Sequence, residues 1–234
     1  MNVKKISCWI LSLALLVSAS GCTSLSSLNN TSKGALIGTG GGAALGAGVG
    51  ALAGGGKGAA IGAVVGTAIG ATAGTLIGRK MDKQQEEIAQ IEGAEVEQVT
   101  DVNNLQAIKV TFNSGILFAT NKSDLSASAR QSLSEFAVSL QNNPQTDVVI
   151  NGHTDNTGTR AVNDRLSKER AQAVANYLIG SGVSSSRLTT NGLAYDYPVA
   201  DNSTEAGRAQ NRRVEIYITA NADMINAANA GTLQ

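Results

Sequence analysis

The sequence predicts an α+β domain in the second half of the chain, preceded by a helical hairpin built on repeated glycines. Apolar and polar residues alternate over residues 108–112 and 214–218, as they do in half-buried strands. Within residues 129–140, and again within residues 162–178, the apolar residues recur every three or four positions, as in helices that bury one face. Before this domain, glycine occupies twelve successive positions four residues apart, from Gly34 to Gly78.

The first 21 residues have the features of an export signal. Lys4 and Lys5 form a short positive segment, residues 6–17 are mostly apolar, and small residues precede Cys22. A run of about twelve apolar-rich residues is too short to cross a bilayer but suits the apolar region of a secretory signal peptide. We therefore expect residues 1–21 to be removed, which leaves a mature chain with Cys22 as its single cysteine.

After a linker at residues 22–33, residues 34–78 are predicted to form a glycine-zipper helical hairpin. Four residues turn a helix through about 400°, so the glycines form one slowly drifting stripe. Each glycine costs about 1 kcal/mol relative to alanine in a helix, and close packing against another backbone offsets this cost. The glycine cluster at 54–56 predicts a turn between helices at 35–53 and 58–78. Three roles stay open: association with a membrane, helical self-association into a homo-oligomer, or a plain spacer.

Residues 79–104 are rich in charged side chains and are predicted to be a polar connector that starts with a solvated helix. Residues 105–220 then form the globular domain, with elements in the order β-α-β-α-β-β. Two helices on one sheet suggest a two-layer sandwich. Residues 221–234 are predicted to be a frayed tail.

One charged residue interrupts the apolar row of the second helix of the domain. Residues 162, 166, 174 and 178 of this row are apolar, whereas position 170 is arginine. An unpaired buried charge costs several kcal/mol, so the guanidinium of Arg170 needs a partner. Asp155, in the loop before the helix, is the nearest candidate. The residues alone leave open whether this pair is an internal salt bridge or a couple that binds a ligand.

Several segments of the domain resemble the OmpA-like peptidoglycan-binding domain family. The matching residues are Gly152-His153-Thr154-Asp155, Gly158, Asn163, Leu166-Ser167, Arg170-Ala171, Tyr177-Leu178, and the segments 116–125 and 191–215. The resemblance implies an OmpA-like sandwich that binds the diamino acid of the peptidoglycan stem peptide, usually diaminopimelate. It implies that Asp155 takes the ammonium group and Arg170 the carboxylate, with Thr154, Asn163 and Arg212 as further contacts. A guanidinium suits this task because it can grip a carboxylate bidentately.

The segment Ala-Ser-Gly-Cys at residues 19–22 resembles the lipobox of bacterial lipoproteins, which implies lipidation of Cys22. Thr23 after the cysteine resembles lipoproteins that are sorted to the outer membrane. The whole chain is thus similar to glycine-zipper OmpA-like outer-membrane lipoproteins. The resemblance implies a tether that is lipid-anchored in the outer membrane and binds the cell wall from the periplasm. In the alternative interpretation, a membrane-active or oligomerising zipper carries the function and the wall-binding domain only localises it.

The composition argues against several other function classes. A formal net charge of zero and 3% aromatic residues give no basis for nucleic-acid binding. One histidine and two cysteines cannot form a Cys/His zinc cluster, and the sequence predicts no cofactor and no metal. It contains neither a His-Glu-x-x-His nor a Gly-x-Ser-x-Gly motif. We therefore expect a binding protein rather than an enzyme.

Overall fold

The computed structural model of the protein describes residues 69–119 and 121–233. The predicted signal peptide, Cys22 and most of the glycine hairpin lie outside these residues. The described helices are α1 (Ala71–Ile88), α2 (Ser114–Leu117), α3 (Ala127–Asn142), α4 (Arg160–Gly180), α5 (Glu205–Asn211) and α6 (Ala222–Asn229). The described strands are β1 (Ala94–Thr100), β2 (Gln106–Asn113), β3 (Thr146–Gly152), β4 (Leu188–Gly192) and β5 (Arg213–Ala220).

The strands form one mixed sheet in the order β1-β2-β5-β3-β4. Neighbouring strands are antiparallel, except for β3 and β4, which are parallel. Helix α4 connects these two parallel strands, as a crossover between parallel strands requires. The helix begins at the cap residue Thr159, whose side chain accepts a hydrogen bond from the backbone N–H of Val162.

Alternation along the strands divides the sheet into two faces. One face packs against the helices and supplies the main apolar core, with Ile108, Val110, Phe112, Val148, Ile150, Val214, Ile216 and Ile218 among its members. Helices α1, α3, α4 and α6 contribute apolar side chains to the same core. The opposite face carries a smaller cluster of Ala107, Val149 and Tyr217. The α+β class predicted from the sequence is therefore confirmed, and the strands predicted near residues 108, 148, 188 and 214 are all present.

The prediction of a polar connector at residues 79–104 is wrong. Helix α1 buries Ile77, Met81 and Ile88 in the main core, and β1 pairs with β2 along its whole length. Gly74 and Gly78, the last two glycines of the repeat, are buried on the same helix. The charged residues occupy the outer side of α1, so they do not prevent its inner side from packing. The domain thus includes described residues well before the predicted boundary at residue 105.

The prediction of a frayed tail at residues 221–234 is also wrong. Helix α6 is capped by Asn221, whose side chain accepts a hydrogen bond from the backbone of Met224. Met224, Ile225 and Ala228 are buried, and the helix packs against α1. The last helix therefore holds α1, which carries the last two glycines of the repeat, onto the domain. In the described part of the chain, none of the helices combines the length and apolar character needed to cross a membrane.

Candidate ligand-binding pocket

The candidate pocket lies where β3 ends and α4 begins, and two glycines allow these elements to approach closely. Gly152 and Gly192 are paired neighbours at the ends of β3 and β4. A Cβ atom on Gly152 would lie 2.0 Å from the carbonyl oxygen of Ser167, and one on Gly192 would lie 2.6 Å from the backbone nitrogen of Lys168. Only glycine fits at this distance, so the two residues bring the second turn of α4 against the strand ends. The hydroxyl of Ser167 then accepts a hydrogen bond from the backbone of Ala194.

Asp155 lies in the loop that follows β3, and its carboxylate is already paired. One oxygen accepts a hydrogen bond from the backbone N–H of Thr157 at 2.8 Å. The other accepts one from Nη1 of Arg212 at 2.7 Å. Burial alone would raise the pKa of Asp155, but the hydrogen bonds from Arg212 and Thr157 outweigh it and hold the pKa below its ordinary value. Asp155 is therefore a carboxylate at neutral pH.

Arg170 is only 4% exposed and faces the same cavity from the third turn of α4. Its Nε donates a hydrogen bond to the carbonyl oxygen of Lys122 at 3.1 Å, and its guanidinium carbon lies 5.2 Å from the ring centroid of Phe118. No described residue bonds to Nη1 or Nη2 of Arg170. Burial and the nearby charge of Arg212 lower the pKa of Arg170, while Asp155 acts in the opposite direction. The guanidinium is thus positioned through Nε and the ring of Phe118, and its two terminal nitrogens have no hydrogen-bond partner among the described residues.

Asp155 does not form the internal salt bridge with Arg170 that the sequence left open. The direct partner of Asp155 is Arg212, which is 57 residues away in sequence and follows α5. Arg212 also donates to Glu205 at 3.1 Å, so its guanidinium bridges two carboxylates. Arg170 remains close enough for Asp155 and Arg212 to influence its pKa. The two predicted charges therefore face one cavity without neutralising each other directly.

All five residues predicted to contact a ligand line the same cavity of about 680 Å³. Besides Asp155, Arg170 and Arg212, these are Thr154 and Asn163. The hydroxyl of Thr154 is buried and has no hydrogen-bond partner among the described residues. The amide nitrogen of Asn163 donates to the carbonyl of Thr157 at 3.0 Å, which makes Asn163 a support for the Asp155 loop.

The sequence analysis did not identify two charged residues that line the cavity, and it assigned one apolar residue of the cavity to the core. Glu205 and Arg208 line the cavity together with Arg212, and Glu205 forms ion pairs with both arginines. The three residues are spaced three and seven positions apart, which places them on one side of a helix and could have indicated the cluster. Val162, predicted as core, is 47% exposed and lines the cavity. The row containing Arg170 therefore starts at the cavity and enters the core only at Val174.

His153, next to Thr154 in the loop after β3, is 1% exposed. Its Nε2 is 3.5 Å from a carboxylate oxygen of Glu215, and burial lowers its pKa. Phe118 is buried and also lines the cavity, where its ring contacts Arg170. Among the residues that the structure describes, no group of three or more His, Cys, Asp or Glu side chains is placed to hold a metal ion.

These features define a small α+β domain whose cavity presents separate positive and negative groups. Comparison with protein families then shows what the chain resembles. Residues 117–212 match the OmpA family, and residues 1–82 match the YMGG-like Gly-zipper family. The C-terminal part of the chain is thus similar to the OmpA family, and the N-terminal part is similar to a Gly-zipper family.

Two curated relatives illustrate the similarity. The probable lipoprotein YiaD of Escherichia coli is 42% identical over 104 residues, which cover 44% of this chain and 48% of YiaD. The peptidoglycan-binding protein ArfA of Mycobacterium tuberculosis is 40% identical over 112 residues, which cover 48% of this chain and 34% of ArfA. Other curated matches are outer membrane proteins. The chain spans between 31% and 66% of the length of the curated relatives it matches.

The fold also recurs in a solved structure, the cell wall anchor of the T6SS from Pseudomonas aeruginosa. It aligns with a TM-score of 0.51 and 29% sequence identity, covering 60% of this chain and 96% of that chain. The α+β fold class predicted from the sequence thus agrees with the structure and recurs in this solved relative.

Proposed function

We propose that this protein tethers a membrane to the cell wall without covalent attachment, through binding of peptidoglycan in the cavity between Asp155 and Arg170. The observation that carries the proposal is the arrangement of these two side chains. One carboxylate and one nearly buried guanidinium, whose Nη1 and Nη2 have no hydrogen-bond partner among the described residues, face a single cavity. The relatives named as a peptidoglycan-binding protein and as a cell wall anchor support the same class of ligand.

The finer proposal is that the cavity binds the diamino acid of the stem peptide, with diaminopimelate as the preferred form. Its side chain ends in an ammonium and a carboxylate on one carbon atom. Asp155 would take the ammonium, and the free end of Arg170 would take the carboxylate bidentately. Thr154 has a buried hydroxyl without a partner, which suits a further hydrogen bond to this zwitterionic group. Neither interaction involves a bond being made or broken, so the proposed role is binding rather than catalysis.

The rest of the chain fits the membrane end of such a tether. We infer that residues 1–21 are a signal peptide, that Cys22 carries lipid, and that the protein is anchored in the outer membrane with its domain in the periplasm. The relative named as a lipoprotein and the outer membrane proteins among the matches support this location. A single tether can be weak, because many copies acting between two surfaces bind through multivalency.

Binding to purified peptide tests the site and its specificity together. The mature chain, its Asp155→Asn and Arg170→Gln variants, and the controls Asp164→Asn and Arg165→Gln would be titrated by calorimetry with a diaminopimelate stem peptide. Asp164 and Arg165 are exposed residues of α4, the helix that carries Arg170. Removing one partner of a desolvated charged contact costs 2 kcal/mol or more, so we expect at least a 30-fold loss of affinity for Asp155→Asn and Arg170→Gln only. Unchanged binding by both variants would refute the site.

A lysine-containing stem peptide distinguishes the proposal that the cavity binds peptidoglycan from the finer proposal that it prefers diaminopimelate. Lysine has the ammonium group but lacks the neighbouring carboxylate. Wild-type protein should therefore prefer the diaminopimelate peptide, and Arg170→Gln should bind both peptides equally. If wild-type protein binds both peptides equally, the wall-binding proposal stands and the proposed preference for diaminopimelate is wrong.

The Gly-zipper match over residues 1–82 favours a second candidate function, in which the glycine repeat is membrane-active or oligomerising and the domain only localises it. Deletion of residues 34–68 tests it without touching α1, whose buried side chains belong to the domain core. If wall binding and membrane location survive but the cellular phenotype of the intact protein is lost, the repeat carries the function. If the phenotype is retained, the tether is sufficient.

A further inference from the structure

Helix α1 presents a cationic surface directly after Gly78, the last glycine of the repeat. Arg79 and Lys83 are exposed, one helical turn apart, and Lys80 lies between them. These three side chains border a cleft of about 390 Å³, which Leu76 and Leu233 also line. Both leucines are partly buried against the main core. The cleft therefore combines an apolar base with a positively charged rim.

Charge is unevenly distributed along the outer side of α1. The cations at 79, 80 and 83 come first, with one carboxylate, Asp82, among them, and the carboxylates Glu86 and Glu87 come one turn later. Asp82 accepts a hydrogen bond from the side chain of Gln106 at 2.7 Å. Glu87 also borders the cleft, but one of its carboxylate oxygens accepts hydrogen bonds from Ser139 and Asn143. Its charge is thus partly engaged by the domain. The positive charges of α1 thus lie directly after the last glycine of the repeat, in the middle of the helix, and the carboxylates of Glu86 and Glu87 lie nearer its C-terminal end.

We propose that Arg79, Lys80 and Lys83 contact the anionic phospholipid headgroups of the membrane to which the protein is anchored. Charge complementarity is the first reason, because clustered Lys and Arg side chains next to a membrane segment attract anionic lipids. Chain position is the second reason, since Arg79 and Lys80 lie inside the matched Gly-zipper span at residues 1–82. The proposal rests on the membrane location proposed above but not on the identity of the wall ligand.

Such a contact would orient the whole domain rather than a loose segment. Helix α1 is fixed to the domain by Ile77, Met81 and Ile88, which are fully buried. It contributes no residue to the Asp155 cavity, which is lined by residues between 114 and 212. Membrane contact and wall binding can therefore occur at the same time. The cationic surface would set the direction in which the wall-binding cavity faces.

The test compares anionic with neutral lipid vesicles. The mature chain with Cys22→Ser, which lacks the lipid anchor, would be floated with vesicles of phosphatidylcholine alone or with 30% phosphatidylglycerol (about one lipid in three, a strongly anionic surface). The measured quantity is the ratio of the two partition coefficients. This ratio is informative even if the glycine repeat binds both kinds of vesicle. Increasing salt should lower it, because exposed charges are screened.

The matched variants are Arg79→Gln with Lys83→Gln, and Arg130→Gln with Lys168→Gln. Both pairs remove two exposed cations, but only the first pair lies on α1. Each Lys or Arg near an anionic surface contributes about fivefold, so we expect the first pair to lower the ratio about 30-fold and the second to leave it nearly unchanged. An equal effect of both pairs, or a wild-type ratio near one, would overturn the proposal. Sedimentation with purified cell walls should be unaffected by either pair, so a failure here is distinct from a failure of wall binding.

Discussion

Replacing Gly152 with alanine would test whether the close approach of β3 and α4 positions the candidate site. The added Cβ would lie 2.0 Å from the carbonyl oxygen of Ser167 and 2.9 Å from its carbonyl carbon. Both atoms are backbone, so no side chain can rotate away to make room. The oxygen would have to retreat by about 1.4 Å to reach the 3.4 Å at which ordinary contact begins. Overpacking of this kind costs about 3 kcal/mol or more.

The same displacement would separate the two charged residues of the site. Asp155 follows β3 by three residues, and Arg170 follows Ser167 by three residues on α4, so moving the strand from the helix changes the distance between them. A shift of about 1 Å is enough to weaken an oriented interaction by one or two orders of magnitude. We therefore expect Gly152→Ala to lower both the urea midpoint of unfolding and the affinity for the stem peptide.

Gly180→Ala is the matched control for this prediction. Gly180 ends α4, and a Cβ atom there would have nothing within 4 Å. This variant should be as stable as wild type or slightly more so, because alanine favours the helix by up to about 1 kcal/mol. If the two alanine variants unfold at the same urea concentration and bind peptide equally, the glycine contact does not position the site and the reasoning fails.

Three further predictions concern the domain around the site. Burial raises the pKa of Asp101 from 3.8 to about 6, so the folded state binds this proton more tightly and stability should fall as the pH rises from about 4 to 6. The free energy of unfolding should fall by about 3 kcal/mol over this range, and Asp101→Asn should remove most of the fall. Urea unfolding of both proteins at pH 4 and 7 measures it, and an unchanged pH dependence in the variant would contradict the prediction. Arg187 donates hydrogen bonds to the carbonyl oxygens of Leu140, Asn143 and Thr146. Arg187→Ala should therefore lower the free energy of unfolding by about 2–4 kcal/mol, measured by thermal unfolding. An unaltered melting temperature would show that water replaces these bonds. Ile225→Ala should cost about 2–4 kcal/mol by urea unfolding, because Ile225 is fully buried, whereas a frayed tail would tolerate the change.

The elements predicted correctly are those whose side chains repeat with a clear period. In β2, Ile108, Val110 and Phe112 reach the main core while Lys109 and Thr111 stay partly exposed, which is the pattern that predicts a strand. Helix α3 buries its residues at helical spacing and starts at a serine cap. In both cases the sequence alone contains the physical cause of the structure, because local periodicity and burial coincide.

The missed elements lack such a period or have one that charge obscures. Strand β1 reads Ala-Glu-Val-Glu-Gln-Val-Thr, and as an edge strand it buries none of these residues fully. Helix α6 has eight residues, of which Met224 and Ile225 are the large apolar ones. Each element is stabilised by what it packs against, β1 by β2 and α6 by α1. Tertiary contacts decide these assignments, and a single sequence does not display them.

The residues of the candidate site could be predicted, but which of them form an ion pair with each other could not. The family resemblance implied that Asp155 and Arg170 bind one ligand, yet nothing in the sequence gave a reason to pair Asp155 with Arg212, which lies 57 residues away. The pairing depends on where α5 ends, because Arg212 is the residue that caps this helix. Long-range geometry of this kind is set by the sheet order, which places the start of β5 beside the end of β3.

This pairing bears directly on which ligands the proposed site can accept. An ammonium group that approaches Asp155 must compete with Arg212, which holds the carboxylate at 2.7 Å. Arg212 can yield at low cost, because Glu205 already accepts a second hydrogen bond from it at 3.1 Å. A ligand with only an ammonium would gain Asp155 but leave the free end of Arg170 without an anion. A ligand with both groups on one carbon satisfies Asp155 and Arg170 together, so the exchange of partners favours a zwitterion over a simple amine.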